Sequence, residues 1–114
     1  MKLPTVAITA LAALCVGAFC CSAVADDATD TWNSHCAMCH GKDGTGQTMM
    51  GRRLQIKDLT DPKVQAALTD EQATKTIKEG VTEDGRTKMK AYASQLSDDQ
   101  IKSLVAYVRS LKKK

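Results

Sequence analysis

Aromatic residues are scarce in this sequence, which has one Trp, two Tyr and one Phe among 114 residues. A chain of this length forms one small domain, in which a purely hydrophobic core would be only marginally stable. Neither charge sign dominates, since 16 basic residues stand against 13 acidic ones, and nothing in this balance favours nucleic-acid binding. The composition therefore indicates a single small domain that is short of apolar volume.

Strict alternation of apolar and polar residues is also missing, and this absence argues against a fold built on sheets. Helix signals are present instead. The first segment, from about Asp27 to Ala37, is a candidate helix, and Asp61-Pro62 is typical of a helix start. We therefore predict an all-α fold of about four helices.

Two capping boxes strengthen this prediction. Thr69 with Gln72 begins a helix that Gly80 ends, and Ser97 with Gln100 begins the last helix. The last helix carries one apolar stripe, formed by Ile101, Leu104, Val105, Val108 and Leu111. Between Gly80 and Ser97 the sequence predicts a long irregular stretch.

Cysteines available for a structural disulfide are few. Of the five cysteines, three (Cys15, Cys20 and Cys21) precede Ala25, and only Cys36 and Cys39 follow it. The stretch from Met1 to Ala25 combines an early Lys2, an apolar run and small residues at its end, which is typical of a secretory signal peptide cleaved after Ala25. An uncleaved membrane anchor and a lipid on Cys20 or Cys21 are the alternatives. We expect a mature domain of residues 26–114 in the periplasm.

The pair Cys36 and Cys39 belongs to the most informative stretch of the chain, Cys36-Ala37-Met38-Cys39-His40. C-x-x-C-H is the spacing at which proteins attach a c-type haem. Each thiol can form a thioether with one vinyl group, and the adjacent His40 imidazole is then held beneath the iron as an axial ligand. Haem joined in this way also supplies the missing apolar volume.

Other uses of the same residues are weaker. A thioredoxin-like dithiol is expected within a βαβ pattern, which is not visible here. A structural zinc site needs two more Cys or His ligands besides the two cysteines, and the sequence after Ala25 offers only His35 and His40. We therefore expect one covalently attached haem c.

The second axial ligand can be sought by elimination. His35 and Met38 are tethered too close to the thioether bonds to reach over the ring. Met49 and Met50 lie only about ten residues after the motif, which is short for crossing the porphyrin edge but leaves them as alternatives. Met89 lies far from His40 in the sequence, in the stretch before the last helix, and is the favoured distal ligand. An open iron is the remaining alternative.

The order of Trp32, the stretch from Cys36 to Gly41, the Met89 loop and the segment Leu104 to Arg109 resembles a small class I cytochrome c. This resemblance implies crossing N- and C-terminal helices around one haem with an exposed edge, and a His and Met axial pair, here His40 and Met89. Trp32, four residues before Cys36, is expected to pack against the last helix or the haem edge. The ring N–H of His40 is expected to find a hydrogen-bond acceptor.

Both axial positions are filled in this prediction, so the iron has no vacant site for oxygen or peroxide. We therefore predict a monomeric one-electron carrier and no enzyme. The alternatives are a cytochrome subunit fixed within an oxidase or dehydrogenase complex and a five-coordinate haem enzyme or gas sensor.

Redox partner proteins are expected to dock at the exposed haem edge. Five basic residues lie in the loops that would frame the ring: Arg52, Arg53, Arg86, Lys88 and Lys90. These residues are candidates for a basic rim that attracts acidic partners. Arg52 and Arg53 are also candidates for pairing with the haem propionates.

Overall fold

The computed structural model describes Lys2 and residues 23–113, and these residues are mostly helical. The helices are α1 (Ala23–His35), α2 (Ala37–His40), α3 (Met49–Leu54), α4 (Pro62–Ala67), α5 (Asp70–Glu79) and α6 (Asp98–Ser110). A hairpin of strands β1 (Val81–Glu83) and β2 (Arg86–Met89) lies between α5 and α6. Within Lys2 and residues 23–113, no helix is long and apolar enough to cross a membrane. Most of the expected signal peptide lies outside the described residues.

The two terminal helices of this domain, α1 and α6, pack against each other, and α5 packs on α6. Their shared core is built on Trp32 of α1, which is 2% exposed, and on Ile101 and Leu104 of α6, which are each 1% exposed. Leu96 and Val108 complete this buried cluster. The apolar stripe of the last helix thus faces α1, as its helical spacing predicts. The all-α fold class is confirmed.

Side-chain caps fix where the helices begin. In α4 the Asp61 carboxylate accepts a hydrogen bond from the Lys63 amide at 2.8 Å, with proline in the first turn. Thr69 and Gln72 form a complete capping box at α5. Ser97 and Gln100 form another at α6. Each cap satisfies backbone amides that a helix start leaves without partners, so all three starts follow from local sequence.

The β-hairpin corrects the prediction of an irregular stretch after Gly80. Strands β1 and β2 are antiparallel, with Val81 opposite Met89 and Glu83 opposite Arg86. Asp84 and Gly85 form the turn, with φ angles of 50° and 72°. An Asp-Gly dipeptide is a strong hairpin signal because both turn positions need positive φ. The strands are too short for a visible alternation, so that dipeptide was the available clue.

A buried polar link joins α4 to α6. The Gln65 side chain is 4% exposed, and its Nε2 donates to the carbonyls of Leu59 at 2.6 Å and Val108 at 2.8 Å. The Arg109 guanidinium donates to the Gln65 carbonyl at 2.8 Å and to the Leu68 carbonyl. These bonds satisfy groups that would otherwise be buried without partners, so they fix α4 beside the last helix.

Candidate functional site

An apolar cleft opens between α1, α5, α6 and the end of the hairpin. About 600 Å³ of space that atoms do not fill lies within it, part of which is open to solvent. Its walls are mainly hydrocarbon, and its polar and sulfur-bearing groups are few. The lining residues are Trp32, Cys36, His40, Leu59, Leu68, Ala73, Thr76, Ile77, Met89, Leu104 and Val108.

The turn that carries the two cysteines is held from below by the segment leading into α3. The Thr48 hydroxyl donates to the Cys39 carbonyl at 2.7 Å and accepts from the Gly51 amide at 2.8 Å. A Cβ atom at Gly51 would lie 2.6 Å from the Cys39 carbonyl oxygen and 2.1 Å from that of Gly46. Glycine is therefore required for α3 to approach this closely.

Trp32 joins the same turn to the helical core. Its indole N–H donates to the Gly41 carbonyl at 3.0 Å, and its ring lies 5.5 Å from the His40 ring and 5.2 Å from the Tyr107 ring. Trp32 was expected to pack against the last helix or the haem edge, and it lies against Tyr107 of α6 and lines the cleft. One aromatic side chain thus connects α1, α6 and the imidazole.

His40 presents a neutral imidazole to the cleft, because burial lowers the pKa of its ring. A neutral imidazole is the form that binds a metal. Its buried Nδ1 has no hydrogen-bond partner within the described part of the chain. The expected acceptor for the His40 ring N–H is therefore not found among these residues.

The two thiols of the motif are both free and half-buried. Burial, together with the neighbouring Cys39, raises the pKa of Cys36 to about 11. Cys36 is the N-cap residue of α2 and lines the cleft, whereas Cys39 lies within α2 and is not among the described lining residues. Both sulfurs therefore stand within one helical turn of His40.

Met89, the expected distal residue, also lines the cleft. It ends strand β2, and its carbonyl oxygen would lie 2.4 Å from a Cβ atom placed at Gly80. The alternatives Met49 and Met50 do not line the cleft within the described residues, and Met49 is 82% exposed. The structure thus brings Met89, rather than Met49 or Met50, to the cleft that contains His40.

Tyr92 is a residue that the sequence analysis did not single out. Its hydroxyl donates to the His35 carbonyl at 3.0 Å, and its ring meets the His35 ring edge-on at 5.6 Å. Burial raises the pKa of Tyr92, with a smaller contribution from Cys36, so the hydroxyl stays protonated as a donor. No local sequence signal indicates this contact, because it joins residues 57 positions apart.

The basic residues expected around the ring are dispersed. Arg52 and Arg53 lie exposed on α3 and do not line the cleft in the described structure. Arg86 is exposed on the hairpin, while Lys88 pairs with Glu83 across the hairpin. The Lys90 ammonium lies 5.8 Å from the centre of the Tyr92 ring. Two of these cations therefore already have partners within the chain.

Comparisons with known proteins match this combination of fold and site. The model of the family described as cytochrome C oxidase, cbb3-type, subunit III matches residues 23–108. Among solved structures, KustC0563 c-type cytochrome is 33% identical with a TM-score of 0.69, covering 76% of this chain and 99% of that chain. A mutant of Kustc0563 is 32% identical with a TM-score of 0.66, covering 75% of this chain and 99% of that chain. None of the curated proteins gives a significant match.

A small helical domain with a C-x-x-C-H turn beside an apolar cleft is a c-type cytochrome. This chain belongs to the family described as cytochrome C oxidase, cbb3-type, subunit III. It is therefore an electron-transfer protein, not an enzyme, and it carries covalently bound haem c with its iron.

The residues present fit this prosthetic group. The cleft walls are apolar enough to exclude water from a porphyrin face, and they include a neutral imidazole nitrogen and a thioether sulfur. Imidazole and thioether are the donor pair typical of electron-transfer c-type cytochromes. The free thiol of Cys39 belongs to the residue before that imidazole on α2, and the free thiol of Cys36 belongs to the N-cap residue of the same helix.

Proposed function

We propose that this chain is a periplasmic mono-haem electron carrier whose iron is bound by His40 and Met89. The observation that carries the proposal is that His40 and Met89 line one apolar cleft together with Cys36. In the described residues, Met89 is the methionine of that cleft, while Met38 is 78% exposed and Met49 is 82% exposed. A filled sixth position favours electron transfer over ligand chemistry.

Each residue has a distinct role in this proposal. Cys36 and Cys39 hold the macrocycle through thioether bonds, so the haem stays attached in both oxidation states of the iron. His40 binds the iron as a neutral imidazole, since burial lowers the pKa of its ring. The soft sulfur of Met89 favours Fe(II) and raises the reduction potential. Bound haem supplies the one-electron Fe(III)/Fe(II) couple.

Water exclusion is the contribution of the remaining cleft residues. Leu59, Leu68, Ile77, Leu104 and Val108 present hydrocarbon to the site. A low-dielectric wall disfavours the extra positive charge of the oxidised state and so also raises the potential.

Carbon monoxide binding by the reduced holoprotein tests this proposal. A six-coordinate iron with a bound thioether takes up carbon monoxide slowly or not at all at neutral pH, and a potentiometric titration shows one one-electron wave. Rapid and complete formation of a carbon monoxide adduct would favour a five-coordinate haem protein and contradict the proposal.

Partner docking is proposed at the surface around the two thioether positions. Met38 lies beside Cys39 on α2, and Met49 follows Thr48, whose hydroxyl binds the Cys39 carbonyl. Both methionines are largely exposed, and Lys42, Arg52 and Arg53 are exposed near them in the sequence. An apolar centre with basic neighbours suits an acidic redox partner. At the hairpin, Arg86 and Lys90 are further candidates for contact with the partner, whereas Lys88 is paired with Glu83.

A fixed oxidase subunit is the second candidate, because the matching family is described as subunit III of a cytochrome c oxidase. Gel filtration of an extract from the native source, followed by haem staining, distinguishes a free carrier from a fixed subunit. A free carrier elutes as a haem-stained monomer, whereas a fixed subunit comigrates with a large complex. N-terminal sequencing of the same band tests cleavage after Ala25 and export to the periplasm.

A further inference from the structure

The segment after Met89 is held by backbone bonds to α5. The Tyr92 amide donates to the Ile77 carbonyl at 2.9 Å, and the Ala93 amide donates to the Lys78 carbonyl at 3.3 Å. Upstream, Met89 itself pairs with Val81 in the hairpin. These contacts hold residues 89–93, here called the Met89 segment, against α5 and strand β1.

One side chain crosses from that segment to the haem-attachment turn. The Tyr92 hydroxyl donates to the carbonyl of His35, the residue directly before Cys36, across 57 positions of sequence. Among the described residues, no backbone amide of the next turn donates to this carbonyl; the Cys39 amide binds the Cys36 carbonyl at 3.2 Å instead. Helix α1 therefore ends at the His35 carbonyl, which accepts a hydrogen bond from the Tyr92 hydroxyl.

The Tyr92 ring is held independently of its hydroxyl. It meets the His35 ring at 5.6 Å, lies under the Lys90 ammonium at 5.8 Å and packs against the buried core cluster. Substitution by phenylalanine keeps these three contacts and removes only the hydrogen bond. The hydroxyl is thus a separable connection between the segment bearing Met89 and the segment bearing Cys36.

We infer that Tyr92 is a positioning residue, whose hydrogen bond to His35 keeps the Met89 segment closed over the cleft. This inference rests on the proposed role of Met89 as distal ligand. If Met89 must leave before an external ligand enters, the rate of entry reports how often the segment opens. A single exposed hydrogen bond changes such an equilibrium by a small factor, about two- to fivefold.

The test is stopped-flow binding of imidazole to the oxidised holoprotein, compared between wild type and Tyr92→Phe. We expect imidazole to bind about two- to fivefold faster in the variant. The far-red absorption band of iron–methionine coordination should be present in both and should fade at a lower temperature in Tyr92→Phe. Urea unfolding of both proteins records their global stability.

Tyr107→Phe is the matched control. Tyr107 is also half-buried and packs on Trp32, but it lies on α6 rather than on the Met89 segment. This variant should bind imidazole at the wild-type rate. Equal rates in wild type and Tyr92→Phe would overturn the inference, as would equal acceleration in both variants. A wild-type protein without the far-red band would instead remove Met89 as ligand, which separates failure of the inference from failure of the proposed function.

Discussion

At the residue scale, Met89 is a sulfur-bearing side chain in a cleft whose other walls are mostly hydrocarbon. Methionine often fills irregular core space, so a half-buried position alone does not assign it a role. Met89 differs from a methionine that only fills core space because it shares the cleft with the neutral imidazole of His40. That pairing makes its substitution informative.

Met89→Ala should retain covalent haem but lose the far-red band, because the thioether sulfur is gone. The reduction potential should fall, since a soft ligand no longer favours Fe(II), and imidazole should bind with higher affinity. Visible spectroscopy and a potentiometric titration measure these effects. Met49→Ala, at an exposed methionine outside the cleft, is the control and should behave as wild type. A wild-type spectrum and potential in Met89→Ala would exclude Met89 from the site.

His40 shows what a sequence motif omits at this scale. The motif identifies the ring that binds the iron, yet the partner of its other nitrogen depends on how distant loops fold. The structure leaves Nδ1 buried without a partner among the described residues. Tyr92 was missed for the same reason, since its hydrogen bond joins positions 57 residues apart. A sequence motif identifies the chemistry of neighbouring residues, whereas contacts between residues far apart in the sequence are found only in the structure.

At the element scale, the hairpin and its glycines place Met89. Gly80 has φ 74° and ψ −171°, a backbone conformation that is essentially limited to glycine. A Cβ at Gly80 would also meet the Met89 carbonyl oxygen at 2.4 Å. Gly85, at the hairpin turn with φ 72°, has nothing within 4 Å of such a Cβ. Alanine at Gly80 would therefore meet both backbone strain and steric contact with Met89, whereas alanine at Gly85 would meet backbone strain alone.

Gly80→Ala should weaken the far-red band and destabilise the protein more than Gly85→Ala does. Backbone strain costs about 1–2 kcal/mol at Gly85 and up to about 3 kcal/mol at Gly80, and the contact with Met89 adds to it only at Gly80. Urea unfolding and the far-red absorbance measure both effects. Equal losses in the two variants, with an unchanged band, would show that Gly80 does not position Met89.

The hydrogen bonds of the Gln65 side chain, which join α4 to α6, are a second feature at the element scale. Gln65→Ala should lower the free energy of unfolding by about 2–3 kcal/mol, because the carbonyls of Leu59 and Val108 and one Arg109 donor lose a buried partner. Gln95→Ala, at an exposed position, should change it by less than about 0.5 kcal/mol. Urea unfolding of the holoproteins measures the difference. Matching losses would mean that the network adds nothing to stability.

Local signals predicted the helices well and the connections less well. The boxes at Thr69 and Ser97 and the Asp61-Pro62 start specify helix ends through neighbouring residues, so the sequence contains the whole cause. The hairpin strands are three and four residues long, and their pairing depends on Gly80 and on packing against the rest of the chain. The short α2 and α3 helices lack a propensity signal of comparable strength and depend on contacts with each other.

At the scale of the whole molecule, the small core depends on what fills the cleft. The fully buried cluster is small (Trp32, Leu96, Ile101, Leu104 and Val108), and the side chains packed against it, such as Leu59, Leu68 and Ile77, are only partly buried and line the cleft. A bound porphyrin contacts the cleft walls in the folded state only, so binding and folding are coupled.

Cys36→Ser combined with Cys39→Ser should abolish covalent attachment and leave a poorly folded apoprotein. Circular dichroism and acid–acetone extraction of haem measure the two effects. The single substitution Ser34→Ala, at an exposed residue of α1, is the control and should keep both haem and helicity. Haem that resists extraction in the double variant would contradict the attachment assigned to these cysteines.

Charge acts over the whole surface during partner docking. Electron transfer to an acidic redox protein should slow as ionic strength rises, because salt screens the proposed basic rim. Arg52→Gln with Arg53→Gln should reduce the rate at low salt more than Lys102→Gln, an exposed cation on α6. Stopped-flow kinetics at several salt concentrations measure this difference. Rates independent of salt and of all three changes would place docking elsewhere.

The central claim is that one iron is held between His40 and Met89, and the oxidised and reduced visible spectra of the mature holoprotein test it most directly. We expect a low-spin c-type spectrum and, in the oxidised state, the weak far-red band of iron–methionine coordination. A high-spin spectrum without that band would contradict the claim and indicate an open iron.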